Sequence, residues 1–141
     1  RREKRTEVIK LLLDKGADTA VQLSDGATPL HVAVLYGCPK EVSELLLAHG
    51  ADINATDNEL ATPLHYATLG NSDVRREITR PDLVRMLLRK GASLTARTKG
   101  KKRNPLYWAI CSSECGEPEE NITNEIIKIL KEAAAAERRN E

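Results

Sequence analysis

Thr28-Pro29-Leu30-His31-Val32-Ala33 returns 34 positions later as Thr62-Pro63-Leu64-His65-Tyr66-Ala67, and with altered letters as Asn104-Pro105-Leu106-Tyr107-Trp108-Ala109. Each copy reads as the start of a helix. Thr or Asn can cap the free N–H groups, and Pro fits the first turn, where its missing donor is not needed. Leu and Ala then give the new helix a narrow apolar face. A second motif keeps step with the first: Leu11-Leu12-Leu13-Asp14-Lys15-Gly16-Ala17-Asp18, then Leu45-Leu46-Leu47-Ala48-His49-Gly50-Ala51-Asp52, then Met86-Leu87-Leu88-Arg89-Lys90-Gly91-Ala92-Ser93. These are helix ends, with Gly as the C-terminal stop.

The two motifs set the order of the chain. Residues 1–18 form one amphipathic helix whose apolar side carries Val8, Ile9, Leu11, Leu12 and Leu13. No Thr-Pro-Leu-His helix precedes it, so the chain starts half-way through a unit and reads as a piece of something longer, with a further helix expected upstream. Thr19 to Ala27 is a hairpin-like connector, with Ser24-Asp25-Gly26 suited to a tight reversal. Pro29 to Tyr36 and a partner helix from Lys40 make the first whole unit. Thr28 lies 14 residues before Val42, whereas Thr62 lies 21 before Leu83 and Asn104 lies 22 before Ile126. Insertions are therefore expected near 71–81 and near 112–124, both between paired helices, where a longer surface loop costs little. The last helix, from Thr123 to about Ala136, turns polar at Lys131, as a terminal capping unit requires. Residues 137–141 read as a tail.

With 141 residues and 40% apolar content the chain is one domain with a modest core. Aromatic residues make up 3% and Phe is absent, so core volume comes from Leu, Ile, Val and Ala in thin helical layers. No apolar run approaches the ~18 residues of a spanning helix. Nothing in Arg1-Arg2-Glu3-Lys4-Arg5 resembles a secretory signal. Cys38, Cys111 and Cys115 are odd in number and in no metal-ligand spacing, so an intracellular, reducing compartment, cytoplasmic or nuclear, is expected. Formal net charge is +1, yet Arg75 to Arg103 holds eleven basic residues against two acidic ones, a local +9, followed by an acidic segment from Glu114 to Glu125.

Helix pairs of this length, joined by turns and recurring at 34 residues, resemble ankyrin repeats, whose period and Thr-Pro-Leu-His-x-Ala core motif they match. The resemblance covers nearly the whole chain. It implies an all-α, helix-turn-helix solenoid of one half repeat plus three whole ones: 1–27, 28–61, 62–103 and 104–136. It also implies a curved array whose hairpins and first helices form a concave face that binds other proteins. Carried onto this sequence, the family's variable positions are Ser24, Asp25, Leu35 and Tyr36, then Asn58, Glu59 and Leu69, then Lys101, Arg103, Cys111 and Ser112. Three departures stand out: Asn104 for Thr, Tyr107 for His, and Leu60 for the usual hairpin Gly.

Catalytic and metal chemistry finds little support. His31 and His65 occupy the same position in successive units, which predicts a structural hydrogen bond in each, and no nucleophile or carboxylate accompanies them at a useful spacing. No cofactor or metal motif is present, and the chain reads as non-enzymatic. Cys111 and Cys115 read as small hydrophobes. Val32, Tyr66 and Trp108 form a column expected to pack against neighbouring helices, with an aromatic cage as the other reading. Tyr36, immediately before Gly37, is the aromatic anchor expected for a partner. Lys99, Lys101, Lys102 and Arg103 on the third hairpin make either a solvated tip or a positive finger for an acidic or phosphorylated segment, beside the acidic second hairpin with Asp57 and Glu59. Arg75-Arg76-Glu77-Ile78-Thr79 loosely matches a basic kinase site at Thr79.

The expected function is a module holding a partner protein or peptide on its concave face. The alternatives are a polyanion-binding module using the basic 75–103 sector, or the targeting arm of an enzyme encoded elsewhere in the parent chain. Sparse aromatics argue against stacking on single-stranded nucleic acid.

Overall fold

A computed structural model describes residues 2–68, 80–114 and 120–139, leaving aside the side chains of 2, 80, 111–114 and 120–123. The described residues form seven helices and no strand: α1 (Arg2–Asp14), α2 (Pro29–Leu35), α3 (Lys40–Ala48), α4 (Pro63–Ala67), α5 (Arg80–Arg89), α6 (Pro105–Glu114) and α7 (Glu120–Arg139). Each motif becomes the element its letters dictate. Pro29 and Pro63 open α2 and α4 behind the extended residues Thr28 and Thr62. The Leu-Leu-x-x-Gly-Ala copies all end their helices alike. Gly16, Gly50 and Gly91 take φ of 93°, 94° and 95°, and the following Ala17, Ala51 and Ala92 each return an N–H to Leu12, Leu46 and Leu87 at 3.0 Å. Nothing lies within 4 Å of a Cβ built on any of the three, so the backbone angle and not crowding selects glycine.

Helices pair as α2 with α3, α4 with α5 and α6 with α7, and the pairs stack. One layer is α2, α4 and α6; in the other, α1 packs on α3 and α5 on α7. A single apolar cluster runs through the stack, with Leu30, Leu64, Val84, Leu87, Ala109, Ile126 and Leu130 almost wholly buried. Burying a side chain of this size contributes about 1.5 to 3 kcal/mol. The stack therefore draws its stability from many equal small layers.

Several expectations are corrected. On α1 Leu13 is buried and Ile9 half-buried, and the helix packs on α3, while Val8, Leu11 and Leu12 are exposed. The insertion expected near 112–124 is mostly helix: 112–114 extend α6 and 120–124 begin α7, leaving 115–119 outside the described residues. The expected tail is helical through Arg139, in keeping with the strong helix formers of Ala133-Ala134-Ala135-Ala136-Glu137-Arg138. The insertion expected near 71–81 lies largely in 69–79, outside the described residues, as does Thr79.

Three hairpins bring the layers into register. Leu23 N–H donates to Ala27 O at 2.9 Å, Asp57 to Ala61 at 3.0 Å and Thr98 to Arg103 at 3.1 Å, so the third turn is one residue longer. Gly26, Leu60 and Lys102 precede the closing residue in each, with φ of 83°, 61° and 49°. A Cβ on Gly26 would lie 2.5 Å from Asn58 Oδ1 and 2.6 Å from its backbone N, whereas Leu60 already holds a side chain there, 41% exposed. Opposite responses are expected. Gly26→Ala should destabilise by more than about 1 kcal/mol through both angle and clash, and Leu60→Gly should be neutral or stabilise by up to about 1 kcal/mol through relief of the left-handed backbone. Urea melts of the two variants beside the parent chain measure both.

Candidate functional site

The repeated imidazoles come first, because they had the chemistry to form an active site. Thr28 N–H donates to His31 Nδ1 at 3.1 Å, so that nitrogen carries no proton and Nε2–H is the donor, reaching Ala61 O in the next unit at 2.9 Å. His65 repeats this with Thr62 N–H at 3.1 Å and Arg103 O at 3.0 Å. Both rings are fully buried, and both nitrogens of each are occupied by the protein. They are cross-ties between units.

The third copy keeps the bond from the N3 N–H to the cap side chain and loses its return, since Tyr107 has no ring nitrogen to accept the N–H of Asn104. Asn104 Oδ1 accepts the N–H of Tyr107 at 2.9 Å, the acceptor role that Thr28 and Thr62 have in the earlier copies. Tyr107 is released to the surface, where the Arg103 guanidinium lies 4.7 Å over its ring.

Next to these ties runs an open groove of about 710 Å³, built from the hairpins and the first helices. Val32, Leu35, Tyr36, Tyr66 and Trp108 come from α2, α4 and α6 or from their ends. The aromatic column is already engaged on one side, since Tyr66 meets the His31 ring edge-on at 4.9 Å and Trp108 meets His65 at 5.1 Å. Leu23, Ala27 and Ala61 add apolar surface from the hairpins. Charge changes sign along the array: Asp25 on the first hairpin, Asp57 and Glu59 on the second, Lys99, Lys101 and Arg103 on the third.

The two carboxylates of the second hairpin differ in role. Asp57 Oδ1 accepts the N–H groups of Glu59 and Ala61, both at 2.9 Å, and its Oδ2 accepts the Tyr66 hydroxyl at 2.5 Å. Burial, reinforced by that carboxylate, holds the Tyr66 phenol above the ordinary range and keeps it a donor. Asp57 is thus an organiser of the turn, and Glu59 is the carboxylate left facing solvent. Thr98 stands in for Asp57 on the third hairpin, its Oγ1 accepting Arg103 N–H at 3.2 Å.

Of the residues expected on the binding face, Asp25, Leu35, Tyr36, Glu59, Lys101 and Arg103 line this groove. Ser24 and Asn58 are exposed beside it: Asn58 donates its N–H to Asp25 O at 2.9 Å and its amide to the Ser24 backbone O at 3.1 Å, tying one hairpin to the next. Leu69 lies outside the described residues, as do the side chains of Cys111 and Ser112 on α6. Leu23, 60% exposed, was missed by sequence reasoning. Its signal was register, since it holds the position that Asp57 and Thr98 hold in the later hairpins. Among the described residues no group of His, Cys, Asp and Glu is arranged to hold a metal ion, and no helix is long and apolar enough to cross a membrane. Cys38 is half-buried, and that burial pushes its thiol above the ordinary range.

Two histidines should titrate in opposite directions from the ordinary value of about 6.5. Burial lowers His65. The folded state then binds fewer protons than the unfolded one, so its contribution to stability is complete above about pH 6.5 and is lost as pH falls through the folded value. His49, exposed at the end of α3, is raised by its hydrogen bonds to Leu45 O and then to Asp14, at 2.9 and 3.0 Å. Its contribution is present below about pH 6.5 and is lost as pH rises through the folded value. NMR titration of the ring signals should place the His65 midpoint below, and the His49 midpoint above, the free imidazole; the reverse order would contradict both assignments.

The family model described as ankyrin repeats (3 copies) matches residues 1–98. The match ends before the third helix pair, where Asn104 and Tyr107 replace Thr and His. No curated protein matches the chain. With the caps in phase, the helices paired and stacked, and most of the length matched, the chain belongs to the ankyrin repeat family.

Proposed function

We propose that the chain holds a segment of a partner protein in the groove between Leu23 and Trp108. Ankyrin repeats generally mediate protein–protein interactions. One observation carries the finer reading: an open apolar floor flanked by charges of opposite sign on successive hairpins. An exposed aromatic beside apolar neighbours is the composition of an interface hot spot, and Tyr36, 58% exposed beside Leu35, supplies it. The fitting segment presents an apolar side chain to Tyr36 and Leu23, a basic one toward Asp25 and Glu59, and an acidic one toward Lys99 and Lys101. Opposed charges of this kind fix direction and register more than they add affinity.

The polyanion reading draws less support. Within the basic sector, Arg85 is paired with Asp82 at 3.1 Å and with Glu125 at 2.9 Å, so part of the charge is compensated inside the fold.

Peptides selected from a random display library against the whole chain test the groove. The selected sequences should share an apolar anchor with an acidic neighbour. Tyr36→Ala should weaken them at least tenfold, about 1.4 kcal/mol, with the melting temperature unchanged. Full affinity for a Tyr36→Ala, Leu23→Ala double variant would remove the groove as the binding surface, and a steep fall in affinity with salt would favour the polyanion reading.

A further inference from the structure

We infer that the cavity under the third hairpin binds a phosphate monoester, carried on a side chain of the partner segment. Its occupant, but not its anion chemistry, rests on the groove reading above. The cavity holds about 220 Å³ and is lined by Arg97, Lys101, Lys102, Arg103, Asn104 and Tyr107. Four of these six are cations and none is a carboxylate. Among the described residues none of the four makes an ion pair. Uncompensated like charges gathered in one loop repel, so the arrangement works against the hairpin that carries it.

The backbone nevertheless enforces it. Thr98 and Arg103 close the turn with two hydrogen bonds, through Arg103 O and Thr98 Oγ1. The added residue of this hairpin and the left-handed Lys102, φ 49°, confine the intervening lysines to one short loop. Arg103 is held over the Tyr107 ring at 4.7 Å, which orients its planar donors while leaving their edge open.

The chemistry favours phosphate over carboxylate. A phosphate monoester brings a charge near −2 and three strong acceptor oxygens, whereas a carboxylate brings one charge and two oxygens and leaves most of the cluster uncompensated. The geometry favours a protein as its source. Lys101 and Arg103 line both this cavity and the groove, so an anion bound here is continuous with a chain lying on the apolar floor. A flat anionic bilayer would meet Asp25 and Glu59 on the same face and be repelled.

The probe is N-acetyl-O-phosphoserine amide, titrated into the isotope-labelled chain beside N-acetylaspartate amide. Saturable shifts are expected for amides between Arg97 and Tyr107, with the phosphorylated probe bound at least tenfold more tightly. Lys101→Glu with Lys102→Glu should abolish that preference without lowering the melting temperature; Lys101→Gln with Lys102→Gln serves the same end where charge reversal unfolds the chain. Tyr36→Ala should leave it intact, so a failure of the groove and a failure of this site are separately visible. Equal affinity for the two probes, or a preference that survives both lysine variants, would overturn the site. Tighter binding to phosphatidylcholine vesicles containing phosphatidic acid than to the phosphorylated probe would overturn the protein source.

Discussion

One hydrogen bond, made twice, joins each unit to the next: a buried imidazole Nε2–H donating to the carbonyl of the next hairpin, His31 to Ala61 and His65 to Arg103. A helix start leaves N–H groups without partners, and a hairpin buried beside it leaves carbonyls in the same state. One neutral ring satisfies both, accepting from the cap with Nδ1 and donating across the unit boundary with Nε2. The arrangement requires neutrality, since a protonated ring could accept nothing from Thr28 or Thr62. With both ring nitrogens bonded to the protein, these histidines serve as structural ties.

Further ties complete the register. Asn58 N–H and Lys99 N–H donate to Asp25 O and Glu59 O at 2.9 and 2.8 Å, so the three hairpins form a ladder. On the opposite edge, Asn54 accepts Ser93 N–H at 2.8 Å and reaches Gly91 O at 3.3 Å. Once hairpins are stacked in this way, equivalent side chains line up. The groove and its change of charge from Asp25 to Arg103 follow from that alignment, because each hairpin contributes its own letters to a shared surface.

The third unit shows how far the pattern can bend. Replacing His by Tyr107 gives up the ring that served as the cross-tie in the first two units, and Asn104 keeps the helix cap with its own side chain. Freed from that duty, Tyr107 becomes a platform for Arg103, and the hairpin gains one residue, with four cations lining a cavity that make no ion pair among the described residues. The departures from the family pattern and the most distinctive surface of the molecule are thus the same residues.

Local signals were legible in the sequence by itself. Thr-Pro at a helix start and Gly at a helix end act through the backbone of the few residues around them, so Thr28, Thr62, Gly16, Gly50 and Gly91 declared their roles without a fold. Their period implied the stack, and the resemblance to ankyrin repeats implied a face carrying Asp25, Tyr36, Glu59 and Lys101. Other outcomes depended on which surfaces meet. Val8, Leu11 and Leu12 read as an apolar side and lie exposed on α1; Asn58 ties its hairpin to the backbone carbonyl of Ser24; Leu23 looks unremarkable and lines the groove. The residues near 112–124 look like a loop by spacing and are mostly helix. Periodicity records what a segment can bury or bond. Only the packed neighbours decide what it does bury, because burial and cross-unit hydrogen bonding are properties of pairs of segments far apart in the chain.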